Sequence, residues 1–337
     1  MSAFSQSIAL LIGFVGSESL RADLTYFFLN RKIDGIKPKP LSPAALVTNS
    51  ELYKCVVSYF VLRKQKESVI IPTGKYLVYA VPAFLYMVNN LIYLLGLTIT
   101  SPSDLHAAML SKIPLTALVH HFIMARQTSS TAWLCLVLMT ISLVVFNYPL
   151  HTETLLGPFL GILNSCISAF TSIYTEHVLK NVKISFWKSQ FWLYFFGVQF
   201  GSAALVGGLV YSCLFKSDGH PISALLDNLW ELATRIEYFV LPLIIMCSGF
   251  AVAFILRAQD NLVKLVGVGL SFPSIMITQF IFFPSLRSSV TVYKVIGGIG
   301  LCIGSLGFNY YKRTEPGGVI KNALDGFNTH LDEFLDN

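Results

Sequence analysis

The stretch SPSDLHAAMLSKIPLTALVHHFIM, from Ser101 to Met124, is apolar over most of its length and carries a lysine, Lys112, near its middle. It is one of a succession of such stretches along the chain. A charged side chain at bilayer depth costs on the order of 3 kcal/mol or more, so it is retained where it faces a water-filled path or a polar partner. Lys112 is therefore the first candidate for a ligand-facing residue.

The composition of the whole chain indicates a polytopic membrane protein. Of its 337 residues, 54% are hydrophobic and only 12% are charged, and the mean hydropathy is +0.64, which is too apolar for a soluble domain. A spanning helix needs about 20 mainly apolar residues. The predicted helices cover, to within several residues, 4–28, 42–62, 76–97, 101–123, 131–148, 155–179, 187–213, 236–257, 262–284 and 289–311.

This pattern predicts an all-α integral membrane fold of about ten transmembrane helices in two inverted five-helix repeats, with a binding site between the repeats near the midplane. Lys112 in the fourth helix and Lys264 in the ninth occupy corresponding helices of the two halves. Basic residues in the joints favour a multi-pass chain with both termini in the cytosol. The first segment is the weakest prediction, although its Glu18 and Arg21 are spaced to pair on one helix face.

Several classes of protein are disfavoured by the same sequence. The net charge of +6 comes from basic joints rather than from a long basic run with aromatic residues, so no nucleic-acid partner is expected. The six cysteines stand singly, without metal-ligand spacing, so we expect neither a metal site nor a cofactor. No Ser/His/Asp or paired-carboxylate arrangement is visible, and the chain is not expected to be an enzyme.

Polar residues inside the apolar segments are candidates for ligand contacts, and each has a structural alternative. Lys112 precedes Pro114, which frees backbone carbonyl groups for water or ligand; the alternative is an ion pair with a neighbour such as Glu51. Asn89 and Asn90 in the third helix could read a base edge or a ribose hydroxyl, or simply bond between helices.

Three further groups lie in the second, sixth and seventh helices. Glu51 and Lys54 are three residues apart, and a pair that neutralises itself is more often architectural. Ser168 and Ser172 are four apart on one face, which suits either a cavity or close helix packing. Gln190 and Tyr194, also four apart, could face one cavity or belong to an interfacial run of aromatic residues.

Five stretches together resemble the nucleotide-sugar transporter family, particularly its CMP-sialic acid and UDP-galactose branch, within the drug/metabolite transporter superfamily. They are ELYK at 51–54, VNN at 88–90, KIPLTA at 112–117, FTSIYTE at 170–176 and QDNLVK at 259–264. Their order and spacing hold from about residue 42 to residue 311.

The resemblance implies a ten-helix transporter domain over 1–311 and a cytosolic tail over 312–337. It implies antiport of a nucleotide sugar, most often a UDP-sugar and less often CMP-sialic acid, against a nucleoside monophosphate across the lipid bilayer of the Golgi or the ER. A homodimer is left open. With the residues above, the expected substrate-binding set is Asn90, Lys112, Ser168, Ser172, Gln190, Tyr194 and Lys264. The expected structural polar residues are Glu51, Lys54 and Glu176.

One departure from the family pattern keeps alternative functions open. The segment LHAAMLS, residues 105–111, replaces a tyrosine-rich stretch that contains a glutamine. It removes aromatic and amide partners for a base. The alternatives are an exporter of another phosphorylated or organic metabolite, and a transport-incompetent membrane scaffold of the same fold.

Overall fold

The computed structural model describes residues 3–30, 41–70, 75–122, 129–148, 155–181, 184–215, 221–258, 261–287 and 290–311. This part of the chain is helical and contains no strand. Its helices are α1 (Ala3–Asn30), α2 (Pro43–Lys64), a 3-10 turn (Lys75–Tyr79), α3 (Ala80–Ile99), α4 (Pro102–Met109), α5 (Lys112–Phe122), α6 (Ser130–Phe146), α7 (Leu156–Asn181), α8 (Phe186–Phe215), α9 (Pro221–Thr234), α10 (Glu237–Ala258), α11 (Asn261–Phe282), α12 (Pro284–Arg287) and α13 (Val292–Tyr311).

Each of the ten predicted segments contains a helix, so the all-α membrane class is confirmed. By length and apolarity alone, four described helical stretches suffice to cross a membrane: Tyr76–Ile99, Leu156–Thr175, Phe186–Tyr211 and Glu237–Arg257. The shorter apolar helices in α6, α11 and α13 accompany them. The predicted tail, 312–337, lies outside the described residues.

The fourth segment differs from its prediction because it is broken into α4 and α5. The break falls at Leu110 and Ser111, directly before Lys112. Pro114 explains it, since a proline has no N–H for the carbonyl four residues earlier and its ring crowds that carbonyl. Lys112 thus begins a helix in the interior of the protein instead of lying within a continuous one.

The joint between the seventh and eighth predicted segments also differs, because it contains the helix α9. Leu226, Leu229 and Trp230 recur at helical spacing in α9 and are all exposed. An amphipathic helix with an exposed apolar face suits the membrane interface. The joint was predicted without a helix because α9 is too short and too polar to span.

The helices of the two halves pack in a pattern with two-fold symmetry. If α1, α2, α3, α4–α5 and α6 are matched in order with α7, α8, α10, α11 and α13, then the contacts of α1 with α10 and α11 correspond to those of α7 with α3 and α4. The same matching exchanges α2 with α8 and α6 with α13, so the contact within each of these two pairs corresponds to itself. The close contacts therefore join the halves to each other.

Glycines in α13 allow its close approach to α6. A Cβ on Gly304 would lie 2.5 Å from Cγ of Met139, and one on Gly297 would lie 2.6 Å from the backbone nitrogen of Phe146. These α6 residues are spaced seven apart and share one helix face. The pair closes one side of the bundle and leaves the other helices to surround a central cavity.

Candidate functional site

A cavity of about 120 Å³ lies between the two halves. Its described lining residues come from α1, α2, α3, α4, α5, α7, α8, α10 and α11. At one end of the bundle, which we call the α8 end because α8 begins there, the hydroxyl of Tyr79 donates a hydrogen bond of 2.8 Å to Ser189 Oγ. At the opposite end, the α4 end, the amide of Asn30 donates to the carbonyl of Leu97 over 2.9 Å.

Lys112 lines the cavity and is 5% exposed. No described carboxylate forms an ion pair with it, and Glu51, the suggested partner, pairs with Lys54 instead. Glu18 and Arg21 line the same cavity, and their charges act on Lys112. Lys112 is the first residue of α5, and the dipole of that helix adds positive potential at its N-terminus.

Glu51 and Lys54 form a buried ion pair that also lines the cavity. Glycines on the two facing helices make room for it, since a Cβ on Gly197 would lie 2.9 Å from a carboxylate oxygen of Glu51, and one on Gly249 would lie 3.1 Å from Cδ of Lys54. The Lys54 ammonium lies 4.8 Å from the ring centroid of Tyr194. The predicted contact exists, and the pair is neutral as a unit.

A second neutral pair comes from α1, where Arg21 Nη2 lies 2.7 Å from Glu18 Oε2. The other oxygen of Glu18 accepts a hydrogen bond from the hydroxyl of Ser248. The predicted pairing of Glu18 with Arg21 is therefore confirmed, and both residues line the cavity together with His106. These three residues were not among the predicted site residues, although charge inside an apolar segment is the signal that singled out Lys112.

The uncharged site candidates divide into those that line the cavity and one that does not. Asn90, Ser168, Gln190 and Tyr194 are lining residues. The amide of Gln190 is fully buried, and neither its oxygen nor its nitrogen has a hydrogen-bond partner in the described part of the chain. Ser172 is buried behind Ser168, to whose carbonyl it donates over 2.6 Å.

The structure describes the remaining candidates only in part. The backbone carbonyl of Asn89 accepts a hydrogen bond of 2.7 Å from the amide of Asn164. The Asn89 side chain itself lines the cavity, and its Oδ1 has no hydrogen-bond partner among the described residues. Lys264 lies in the first turn of α11 and Glu176 lies in α7, but both side chains are outside the part that the structure describes. Across the described residues, no three His, Cys, Asp or Glu side chains are grouped as a metal site.

Comparison with known proteins identifies a family to which this sequence is similar. A family profile described as Nucleotide-sugar transporter matches residues 39–308. The chain belongs to the nucleotide-sugar transporter family. It is therefore a multi-pass membrane protein of a family of transporters. The match begins after α1, so Glu18 and Arg21 lie outside the matched region.

Two relatives within the nucleotide-sugar transporter family are named for different substrates. CMP-sialic acid transporter 1 of Oryza sativa subsp. japonica is 26% identical over 273 residues, covering 76% of this chain and 81% of the relative. A UDP-N-acetylglucosamine/UDP-N-acetylgalactosamine transporter of Caenorhabditis elegans is 24% identical, covering 92% and 94%. A solved crystal structure, 11% identical with a TM-score of 0.55, covers 90% of this chain and 96% of that chain, which shows similarity of fold alone.

Proposed function

We propose that this protein exchanges a nucleotide sugar for a nucleoside monophosphate across the Golgi or ER membrane, with both termini in the cytosol. A UDP-sugar is the favoured substrate class, and CMP-sialic acid is the second. The observation that carries the proposal is Lys112. Among the described lining residues it is the lysine or arginine without a carboxylate partner, and it stands in a cavity between the two halves.

The electrostatics of the cavity favour a phosphate ligand. Glu18 with Arg21 and Glu51 with Lys54 cancel as pairs, which leaves the positive charge of Lys112 and the dipole of α5. A phosphate group compensates both in a low-dielectric site, where such interactions are strong. Lys264, in the corresponding helix of the second half, is proposed as a further phosphate contact.

Exchange rather than leak follows from the same charge. When the cavity is empty, the uncompensated ammonium disfavours the closed intermediate through which the carrier must pass to change sides. A bound nucleotide sugar or monophosphate removes that penalty, because each carries phosphate to the lysine, and the populations shift accordingly. After the carrier has released one ligand, binding of the other therefore allows it to return to the first side of the membrane.

The nucleoside is assigned to the α8 end of the cavity. Gln190 offers a donor and an acceptor that the described structure leaves unused, and Asn90 lines the same cavity. An amide reads a base edge with such a pair of groups, and a buried polar group left unpaired by the wrong ligand makes the site selective. Tyr194 supplies an aromatic face beside Lys54.

The two-fold packing pattern supports the proposed inverted repeat. Each half contributes five helical segments, and an odd number of crossings would insert the second half with the opposite orientation. The cavity lies between the halves, where rocking of one half against the other changes its access.

Variants of Lys112 test the proposal in liposomes that contain the purified protein and a nucleoside monophosphate. Lys112→Ala is expected to reduce nucleotide-sugar uptake at least a hundredfold, because a charge-assisted contact of about 3 kcal/mol is lost in a buried site. Lys112→Arg keeps the charge and is expected to retain part of the activity. Lys64→Ala, at the exposed end of α2, is the matched control. Normal exchange by Lys112→Ala would overturn the assignment.

A silent wild-type protein, correctly folded, would favour the exporter or the scaffold. The structure gives the 105–111 segment a packing role, since a Cβ on Gly96 would lie 2.8 Å from Leu105 and one on Gly161 would lie 2.5 Å from Ala108. This departure from the family pattern therefore accompanies close contacts of α4 with α3 and α7.

A further inference from the structure

The Glu18–Arg21 pair forms a polar wall of the cavity that the phosphate and nucleoside assignments leave unused. It lies in α1, before the region matched by the family profile. Placing two charges inside a membrane bundle costs free energy even when they are paired, and an apolar pair of similar volume is often no less stable. A pair that also lines a ligand cavity is therefore a candidate for ligand recognition.

Both groups are held rigidly and keep hydrogen-bonding capacity. One oxygen of Glu18 accepts from Arg21 over 2.7 Å and the other accepts from Ser248. A carboxylate oxygen has a second lone-pair site, so each can accept once more. The guanidinium carbon of Arg21 lies 4.3 Å from the ring centroid of Tyr93, and its Nε is buried without a partner among the described residues.

The position of the pair along the cavity suits the part of the substrate beyond the phosphates. Gln190 is in the second turn of α8 and lies towards the α8 end. Arg21 and His106 lie towards the α4 end, because α1 finishes there and α4 begins there. Lys112 follows His106 along the chain and is deeper in the bundle. A ligand with its base near Gln190 and its phosphate at Lys112 directs its sugar towards Glu18.

We propose that Glu18 and Arg21 bind hydroxyl groups of the sugar and select nucleotides that carry an uncharged sugar. This rests on the proposed function and adds a specificity-determining pair to it. One hydroxyl donates to Glu18 while its neighbour accepts from Arg21, which matches the vicinal hydroxyls of a hexose. A carboxylated sugar is disfavoured because Arg21 is already engaged by Glu18, whose negative charge repels it.

The experiment compares two substrates in one variant. The KM values of a labelled UDP-sugar and of labelled UMP are measured for the wild type and for Glu18→Gln in liposomes preloaded with UMP. Glu18→Gln is expected to raise the UDP-sugar KM about tenfold more than the UMP KM, because only the sugar meets the carboxylate. Lys64→Ala, remote from the cavity, is expected to leave the ratio of the two KM values at the wild-type level.

A purely structural pair would change both KM values by the same factor, and that result, or no change in either, overturns the inference. If Glu18→Gln does not fold, Ser248→Ala is used instead, because it removes a hydrogen-bond donor to the Glu18 carboxylate without removing charge. The ratio of the UDP-sugar KM to the UMP KM must then also rise. An unchanged ratio overturns the inference. Exchange of UMP for UMP by the wild type separates the two proposals. Its absence defeats the proposed function, whereas its presence with an unchanged ratio defeats only the sugar assignment.

Discussion

At the scale of the residue, the cavity is organised by how each buried charge is compensated. Glu18 and Glu51 each have a cation three residues later on the same helix, and the glycines opposite the second pair leave space for it. Lys112 has no such partner in the described structure. This difference distinguishes Arg21 and Lys54, which belong to neutral pairs, from Lys112, the proposed phosphate contact.

Variants of the Glu51–Lys54 pair test its architectural role. Removing one partner leaves a buried charge uncompensated, which costs about 3–5 kcal/mol, whereas removing both is much less costly. Lys54→Met and Glu51→Gln alone are therefore expected to lower the unfolding temperature in detergent more than the double variant does. A double variant less stable than either single one would contradict a self-neutralising structural pair.

Several predicted site residues, whose polarity is costly where they lie, line the cavity, and their role in substrate binding stays a prediction. Lys112, Asn90, Gln190 and Tyr194 were singled out as polar or amphipathic groups in apolar helices, and all line the cavity. Glu18 and Arg21 carry the same signal, but they were predicted only to pair with each other and were not included among the site residues. Ser172 shares a helix face with Ser168, yet its hydroxyl bonds to its own helix, which residue spacing alone does not reveal.

At the scale of the element, glycine determines which helices approach closely. A Cβ on Gly304 would lie 2.5 Å from Met139 and 3.0 Å from the carbonyl oxygen of Cys135, whereas one on Gly207 in α8 would meet nothing within 4 Å. The break between α4 and α5 was not predicted, because hydropathy does not report where a proline ends a helix.

The α6–α13 contact is tested by a matched pair of substitutions. Gly304→Ala is expected to destabilise the protein by about 1–3 kcal/mol through overpacking. Gly207→Ala adds the same methyl group in open space and is expected to be neutral or slightly stabilising, because alanine is the better helix former. Thermal unfolding in detergent measures both. Equal effects of the two substitutions would contradict the packing role of Gly304.

At the scale of the whole molecule, polar contacts join helices at both ends of the bundle, and the cavity extends towards the α8 end. Lys294 Nζ lies 2.6 Å from Asp104 Oδ1, and the backbone N–H of Ser103 donates to Gln279 over 3.1 Å. The cavity lining reaches Leu179 and Leu256, near the ends of α7 and α10. Such an arrangement suits a carrier in which access alternates between two ends. The sequence predicted the helical segments, but the contacts at the two ends of the bundle join residues that are distant in the chain.

Exchange of a nucleotide sugar for its nucleoside monophosphate can be measured directly as transport. Liposomes containing the wild-type protein are preloaded separately with UMP, CMP, GMP or AMP, and the uptake of matched labelled nucleotide sugars is followed. We expect one internal monophosphate, UMP, to stimulate uptake well above the level of empty liposomes. Uptake that is equally fast with and without internal nucleotide, or absent across the panel with folded protein, would contradict it.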